Sequence, residues 1–230
     1  MCPTHRKCCK RYDIPGHAHY LTFSCYRRRP LLAAERPRQW ILEALCAARS
    51  RIAFDLWAYV IMPEHVHLLV WPRDGTLVSE ILRHVKLPVA KRALWCAQRE
   101  DTSLLALMAP GNPLSRSSTE AAGTTGAEAH ALTARDGTAP VEEQARRQGR
   151  KRGSPHGGPY HFWQRGGGYD RNIWSPQEMR EKIAYIHANP VRKGMVTRPQ
   201  DWPWSSWAAW NGDAAPPVPI DYHSLPPLNT

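Results

Sequence analysis

Between Asp101 and Gly158 the sequence contains no Phe, Trp, Tyr or Ile, and Ala, Gly, Ser, Thr, Pro and Arg dominate it. Such a stretch has too little apolar area to bury against the entropy of ordering its backbone. It therefore reads as a flexible low-complexity insertion, and any compact domain must be assembled from residues 1–100 and 159–230, which together are long enough for one core. Within the insertion, Arg146 to Arg152 is a basic run able to touch a phosphate backbone.

The chain has 230 residues, a formal net charge of +11 and a pI near 9.7. The excess is concentrated: Lys and Arg outnumber Asp and Glu 17 to 8 in residues 1–100, but only 7 to 6 in each of 101–158 and 159–230. A basic first part that includes the Arg27-Arg28-Arg29 run implies a polyanionic partner. The six cysteines follow no disulfide framework, residues 1–11 are charged and polar, and no apolar stretch has membrane-spanning length. These features point to the cytoplasm, with no membrane contact. Cys2, His5, Cys8 and Cys9 could cradle zinc, but no second half-site has matching spacing, so a frayed terminus is the better reading.

Alternation and helical periodicity then give the elements. His17 to Tyr26 reads as a strand with Leu21, Phe23 and Cys25 on one face. A helix follows from about Glu35 to Arg49, with Trp40, Ile41, Ala44, Leu45 and Ala48 as its apolar stripe. Two strands, about Ala53 to Met62 and His65 to Trp71, form an antiparallel hairpin around Pro63-Glu64. A helix from about Leu77 to Gln98 must be kinked or interrupted at Pro88. After the insertion, Ser175-Pro176-Gln177-Glu178 is a helix start, with Ser175 as N-cap and Glu178 as its capping-box partner, and Asn189-Pro190 reads as the stop. The order implies an α+β domain: an antiparallel sheet with helices packed on one face.

Two constellations carry chemistry. In Glu64-His65-Val66-His67-Leu68-Leu69-Val70, strand alternation projects His65 and His67 together, while Val66, Leu68 and Val70 face the core. Two neighbouring imidazoles make a metal platform, although polar residues on an outer face would give the same pattern. His17-Ala18-His19 has equal spacing but sits at the start of its strand. In the second constellation, Gly166-Gly167-Gly168 precedes Tyr169-Asp170-Arg171-Asn172. The glycines permit close backbone approach and unusual dihedrals. The tyrosine is either a packing residue or a nucleophile that needs a metal-polarised phosphate or a nearby base. Arg27, Arg28, Arg29, Lys86, Lys91, Arg92, Arg165 and Arg171 are candidates to hold DNA phosphates. Tyr160 and Trp163 could stack unpaired bases, whereas Trp202, Trp204 and Trp207 read as packing residues.

Four blocks, Tyr59 to Val70, Phe162 to Arg171, Tyr185 to Val191 and Asp201 to Ser206, closely resemble the REP-associated tyrosine transposases, single-tyrosine members of the HUH nuclease superfamily. The resemblance spans roughly residues 12–100 and 159–210. It implies the ferredoxin-like HUH fold, His65 and His67 as metal ligands for Mg2+ or Mn2+, and Tyr169 as the nucleophile that forms a 5′-phosphotyrosine link. In related transposases a Gln one helical turn after the tyrosine completes the metal site. That position after Tyr169 is Ile173, which leaves Asn172 or Asp170 as the substitute, with Glu64 as a third candidate. The implied function is a metal-dependent endonuclease and strand transferase, cutting and rejoining single-stranded DNA beside hairpins such as repetitive extragenic palindromes. It would act as a monomer rather than a homodimer and be associated with the nucleoid. The competing reading is a domesticated protein that grips hairpin DNA without cutting it.

Overall fold

The computed structural model describes residues 13–110, 160–212 and 217–227. Cys2, His5, Cys8 and Cys9, the run Arg146 to Arg152, and the expected insertion from residue 111 to 158 lie outside the described residues.

Four antiparallel strands form one sheet in the order β2-β3-β1-β4. They are β1 (Ala18–Ser24), β2 (Phe54–Ile61), β3 (His65–Pro72) and β4 (Tyr169–Ile173). β2 and β3 form the expected hairpin, while β4 was not expected as a strand. Helix α1 (Glu35–Arg49) has the expected limits, and its stripe of Trp40, Ile41, Ala44, Leu45 and Ala48 is buried. Helix α2 (Val78–Arg99) runs through Pro88 as one element. Pro88 is exposed, so its ring faces solvent and only one main-chain hydrogen bond is lost.

The antiparallel α+β architecture is the expected one, but the helices cover both faces of the sheet rather than one. Leu21, Phe23, Tyr59, Ile61, Val66, Leu68 and Val70 share a core with α1 and α2. Ala18, Tyr20, Ala58, Val60 and Leu69 share a second core with Met179, Ile183 and Ile186 of α4 (Pro176–Arg192). The physical reason lies in β1 and β2, which are apolar on both sides, and a strand of that kind is buried on both sides.

Residues 102–108, expected within the insertion, form helix α3 (Thr102–Met108). The Asp101 carboxylate caps it by accepting from Leu104 N, and Met108 is buried. Helix α4 starts as expected, with Ser175 Oγ accepting from Glu178 N at 3.1 Å, but Glu178 Oε2 accepts from Trp174 N rather than from the Ser175 amide. It does not stop at Asn189-Pro190. Pro190 lies inside the last turn, where Lys193 N donates to Asn189 O and Met195 N to Pro190 O. A proline there costs only the bond to the Ile186 carbonyl.

Trp202 to Ser206 runs beside β2: Ile61 N donates to Trp204 O, Ser206 N to Tyr59 O, and Trp202 Nε1 to Ile61 O. This covers an edge that would otherwise present unpaired main-chain groups. No helix among the described residues is long and apolar enough to cross a membrane.

Candidate metal and tyrosine site

Strand register builds the site. Thr22 of β1 lies opposite His67 of β3 on one side and Tyr169 of β4 on the other, and Ser24 lies opposite His65. Because directly opposed residues share a face, Thr22, His65, His67 and Tyr169 all project toward the α4 side. They line one pocket of about 430 Å³ together with Tyr20, Arg28, Lys182, Tyr185, Asn189 and Lys193.

The two imidazoles converge. Their Nε2 atoms lie 2.9 Å apart. Two nitrogens sharing one cation at about 2.0–2.1 Å in adjacent positions would be about 3 Å apart. The outer nitrogens are occupied. His65 Nδ1 lies 3.0 Å from Glu64 Oε1, and His67 Nδ1 lies 2.7 Å from Thr22 Oγ1 and 2.8 Å from the Tyr20 hydroxyl. If each Nδ1–H is donated outward to these oxygens, the Nε2 lone pairs face one another, an arrangement that a cation stabilises. Burial pushes His67 down to about 3, with the charges of His65, Arg28 and Lys193 adding to it. Burial also lowers His65. Neutral imidazoles are the form that binds metal.

Asn189 supplies a third group. It is buried, its Nδ2 lies 3.0 Å from His67 Nε2, and its Oδ1 is buried without a hydrogen-bond partner. Rotating the amide by half a turn would bring an oxygen acceptor to the two nitrogens. The donor set His, His and amide oxygen suits a divalent first-row transition cation better than Mg2+, which prefers oxygen ligands throughout.

The expected substitutes, Asp170 and Asn172, do not join this set. They lie opposite Leu21 and His19 in the register, and therefore project from the other face of the sheet. Asp170 Oδ1 lies 2.8 Å from buried His19 Nδ1. His19, near the start of β1, is thus a buried residue of that strand. Glu64 orients His65 from outside.

Tyr169 opens β4 and is about half exposed. Its ring lies 6.0 Å from that of Tyr20, which stacks 5.6 Å from His67. Tyr185, from α4, lies directly against His67 with ring centroids 6.0 Å apart, and it precedes Asn189 by one helical turn. Lys182 and Arg192 sit over its ring at 6.0 and 4.6 Å. Tyr20 is held as a phenol, pushed up to about 12 chiefly by burial.

Of the eight basic candidates, only Arg28 lines this pocket. Arg29 is buried and donates to the Leu107 and Ala109 carbonyls at the end of α3, a structural role that removes it from the DNA-binding set. Arg171 pairs with Glu178 and Arg92 with Glu43. Lys86 donates to Gly166 O, Arg165 lies 3.5 Å from His161 Nε2, and Lys91 is on α2, behind the opposite face. Trp163 donates to Lys86 O and packs on Phe23, so it is a core residue. Arg27 and Arg28 both adopt left-handed φ, at 53° and 54°, and Gln164 Oε1 accepts from Arg27 N at 3.0 Å.

Sequence reasoning missed Tyr185, Asn189, Lys182 and Lys193. The signal was a tyrosine and an amide spaced by four inside a helix, obscured because Asn-Pro reads as a helix end.

Asp55, Asp221 and His223 also bring possible ligand atoms within 4.8 Å of one another. Asp221 is already held by Arg49 and by Leu56 N, and Asp55 by Arg73. These pairs account for the cluster without a metal.

No protein-family model matches the sequence, and no curated protein matches it. Among solved structures, a candidate transposase from Deinococcus radiodurans aligns with 19% identity over 36% of this chain and 64% of that one, but its TM-score of 0.30 is too low to inform the fold. A REP-associated tyrosine transposase bound to a REP hairpin aligns over 96% of this chain and 98% of that one, with 19% identity and a TM-score of 0.54. The chain has the fold of that REP-associated tyrosine transposase.

Proposed function

We propose that this protein is a single-tyrosine transposase of the REP-associated kind, a DNA endonuclease and strand transferase acting on single-stranded DNA beside a hairpin. The observation that carries the reading is the convergence of His65 and His67 Nε2 at 2.9 Å beside the partnerless Asn189 Oδ1. The hairpin held by the structural neighbour and the net charge of +11 support the choice of substrate.

A divalent cation, Mg2+ or Mn2+, held by His65, His67 and Asn189 would polarise the scissile phosphate. We assign the nucleophile to Tyr185 rather than Tyr169. Tyr185 and Asn189 reproduce on one helix the tyrosine and amide spacing that related transposases use, and the Tyr185 ring packs on His67, whereas Tyr169 is on a strand and its ring packs on Tyr20, a neighbour it shares with Tyr185. Attack by the Tyr185 oxygen forms a bond to phosphorus and breaks the bond from phosphorus to the 3′ oxygen. The leaving oxygen takes up a proton as the phenol gives one up. The products are a 5′-phosphotyrosine link and a free 3′-OH, and reversal rejoins the strand without ATP. Arg28, Lys182 and Lys193 supply positive charge to the phosphates in the pocket.

The test is a labelled single strand with a hairpin, incubated with Mn2+ or Mg2+ and resolved under denaturing conditions. A covalent adduct is expected for the native protein and for Tyr169→Phe, and none for Tyr185→Phe. Loss of the adduct in Tyr169→Phe alone would return the role to Tyr169. Hairpin binding without any adduct would favour a binding-only protein.

A further inference from the structure

A second basic surface lies on the far side of the sheet from the histidine pair. Ala47, Ala48 and Arg51 at the end of α1 and Arg83, His84, Leu87, Pro88 and Lys91 on α2 enclose a groove of about 380 Å³. Ala47 and Ala48 are its small lining residues. Its walls carry three exposed cations, Arg51, Arg83 and Lys91, with His84 between them and no carboxylate among the lining residues. Arg83, Leu87 and Lys91 recur every four residues, so the two cations on α2 follow one side of that helix.

On the same two helices, Arg36 is bound to Glu100, Arg49 to Asp221 and Arg92 to Glu43. Among the described residues, Arg51, Arg83 and Lys91 have no ion-pair partner. Three like charges around one groove repel each other, and an anionic occupant with repeated charges relieves that repulsion along the whole groove. Leu87 is the only large apolar side chain in the lining, and it is half-buried, so little is available to insert into a lipid layer.

We propose that the α1–α2 groove is a binding surface for the phosphate backbone of double-stranded DNA, separate from the pocket that holds the reacting strand. The sheet and the helix layer stand between the two surfaces. A sheet with a packed layer is about 10 Å thick, so the groove cannot touch the phosphate at the histidines. It engages a duplex part of the same DNA molecule, the stem beside the reacting strand. The interaction is electrostatic and independent of base sequence. The choice of DNA rests on the reading of the function given above.

The experiment measures affinity of the full chain for a blunt 16-bp duplex with no single-stranded end, as a function of salt, for the native protein and for the triple variant Arg51→Gln, Arg83→Gln, Lys91→Gln. All three positions are exposed, and thermal melting checks that the fold is retained. The expected result is weaker binding to every duplex sequence and a salt slope reduced by about 2–3. A control with Arg36→Gln and Arg198→Gln, exposed cations that are already paired, should leave the slope unchanged. An unchanged slope in the triple variant, or a loss confined to vesicles of anionic phospholipid, overturns the proposal. Adduct formation on the hairpin-bearing single strand, at saturating protein, is measured in parallel and should be the same in both proteins. Failure of that adduct in the native protein would count against the transposase reading alone, because the duplex salt slope judges the groove by itself.

Discussion

Under the proposed function, Asn189 decides how the coordination of a metal at the histidine pair would be completed. Replacing it with Ala removes the buried amide that lies against the histidine pair, and Mn2+ affinity measured by calorimetry should fall at least about tenfold, the scale on which metal sites respond to losing a fixed polar partner. Asn189→Asp should retain binding, since a carboxylate oxygen can occupy the same place. Native affinity in Asn189→Ala would remove this residue from the ligand set. His65 and His67 could be read from the sequence because a strand fixes alternate side chains to one face, and the apolar Val66, Leu68 and Val70 fix which face is dry. Asp170 and Asn172 were misjudged by the same rule: proximity to Tyr169 suggested them, but their register with Leu21 and His19 turns them away. Asn189 was hidden because its role comes from α4 folding over β3, a contact between residues 122 apart in sequence.

Among the elements, β4 depends on Gly168. At that position φ is +81°, and an added Cβ would stand 2.1 Å from the Thr22 carbonyl oxygen. Gly168→Ala must therefore push β4 off β1 or distort the loop. A loss of about 1–3 kcal/mol is expected in urea denaturation, in the range of overpacking penalties. Native stability would mean that the pairing of β4 is dispensable. This strand was not legible as one. Its five residues, Tyr-Asp-Arg-Asn-Ile, show no apolar alternation, and it exists because β1 offers an edge. The helices α1 and α2, by contrast, were legible almost to the residue because each carries its own apolar stripe. The terminal turn of α4 was not, since proline signals a stop unless the following amides close the turn, as Lys193 and Met195 do here.

Across the molecule, burial of histidine links stability to pH. Burial holds His67 at about 3 and His187 at about 4, well below the value of 6.5 for a free imidazole. Both pKa values are depressed in the folded state, so below about pH 6.5 the unfolded chain takes up protons that the folded chain refuses. Stability of the metal-free protein should thus be at its full value near neutrality and fall progressively as pH drops from about 6.5 toward 4, a trend that urea titrations at successive pH values would read directly. A flat profile over that range would mean that these rings are solvated. Helices on both faces follow from the near-continuous apolar run of β2, a pattern that in retrospect distinguishes a sandwiched sheet from one open to water on one side. One local feature bears on the balance between robustness and use. Arg28 holds a left-handed backbone that costs an L-residue about 1–2 kcal/mol, whereas glycine there would give back only about 0.5–1 kcal/mol through its greater freedom when unfolded. Arg28→Gly should therefore melt slightly higher than the native chain while binding hairpin DNA less tightly. A conformation held at a net energetic loss trades durability for the placing of a cation in the histidine pocket.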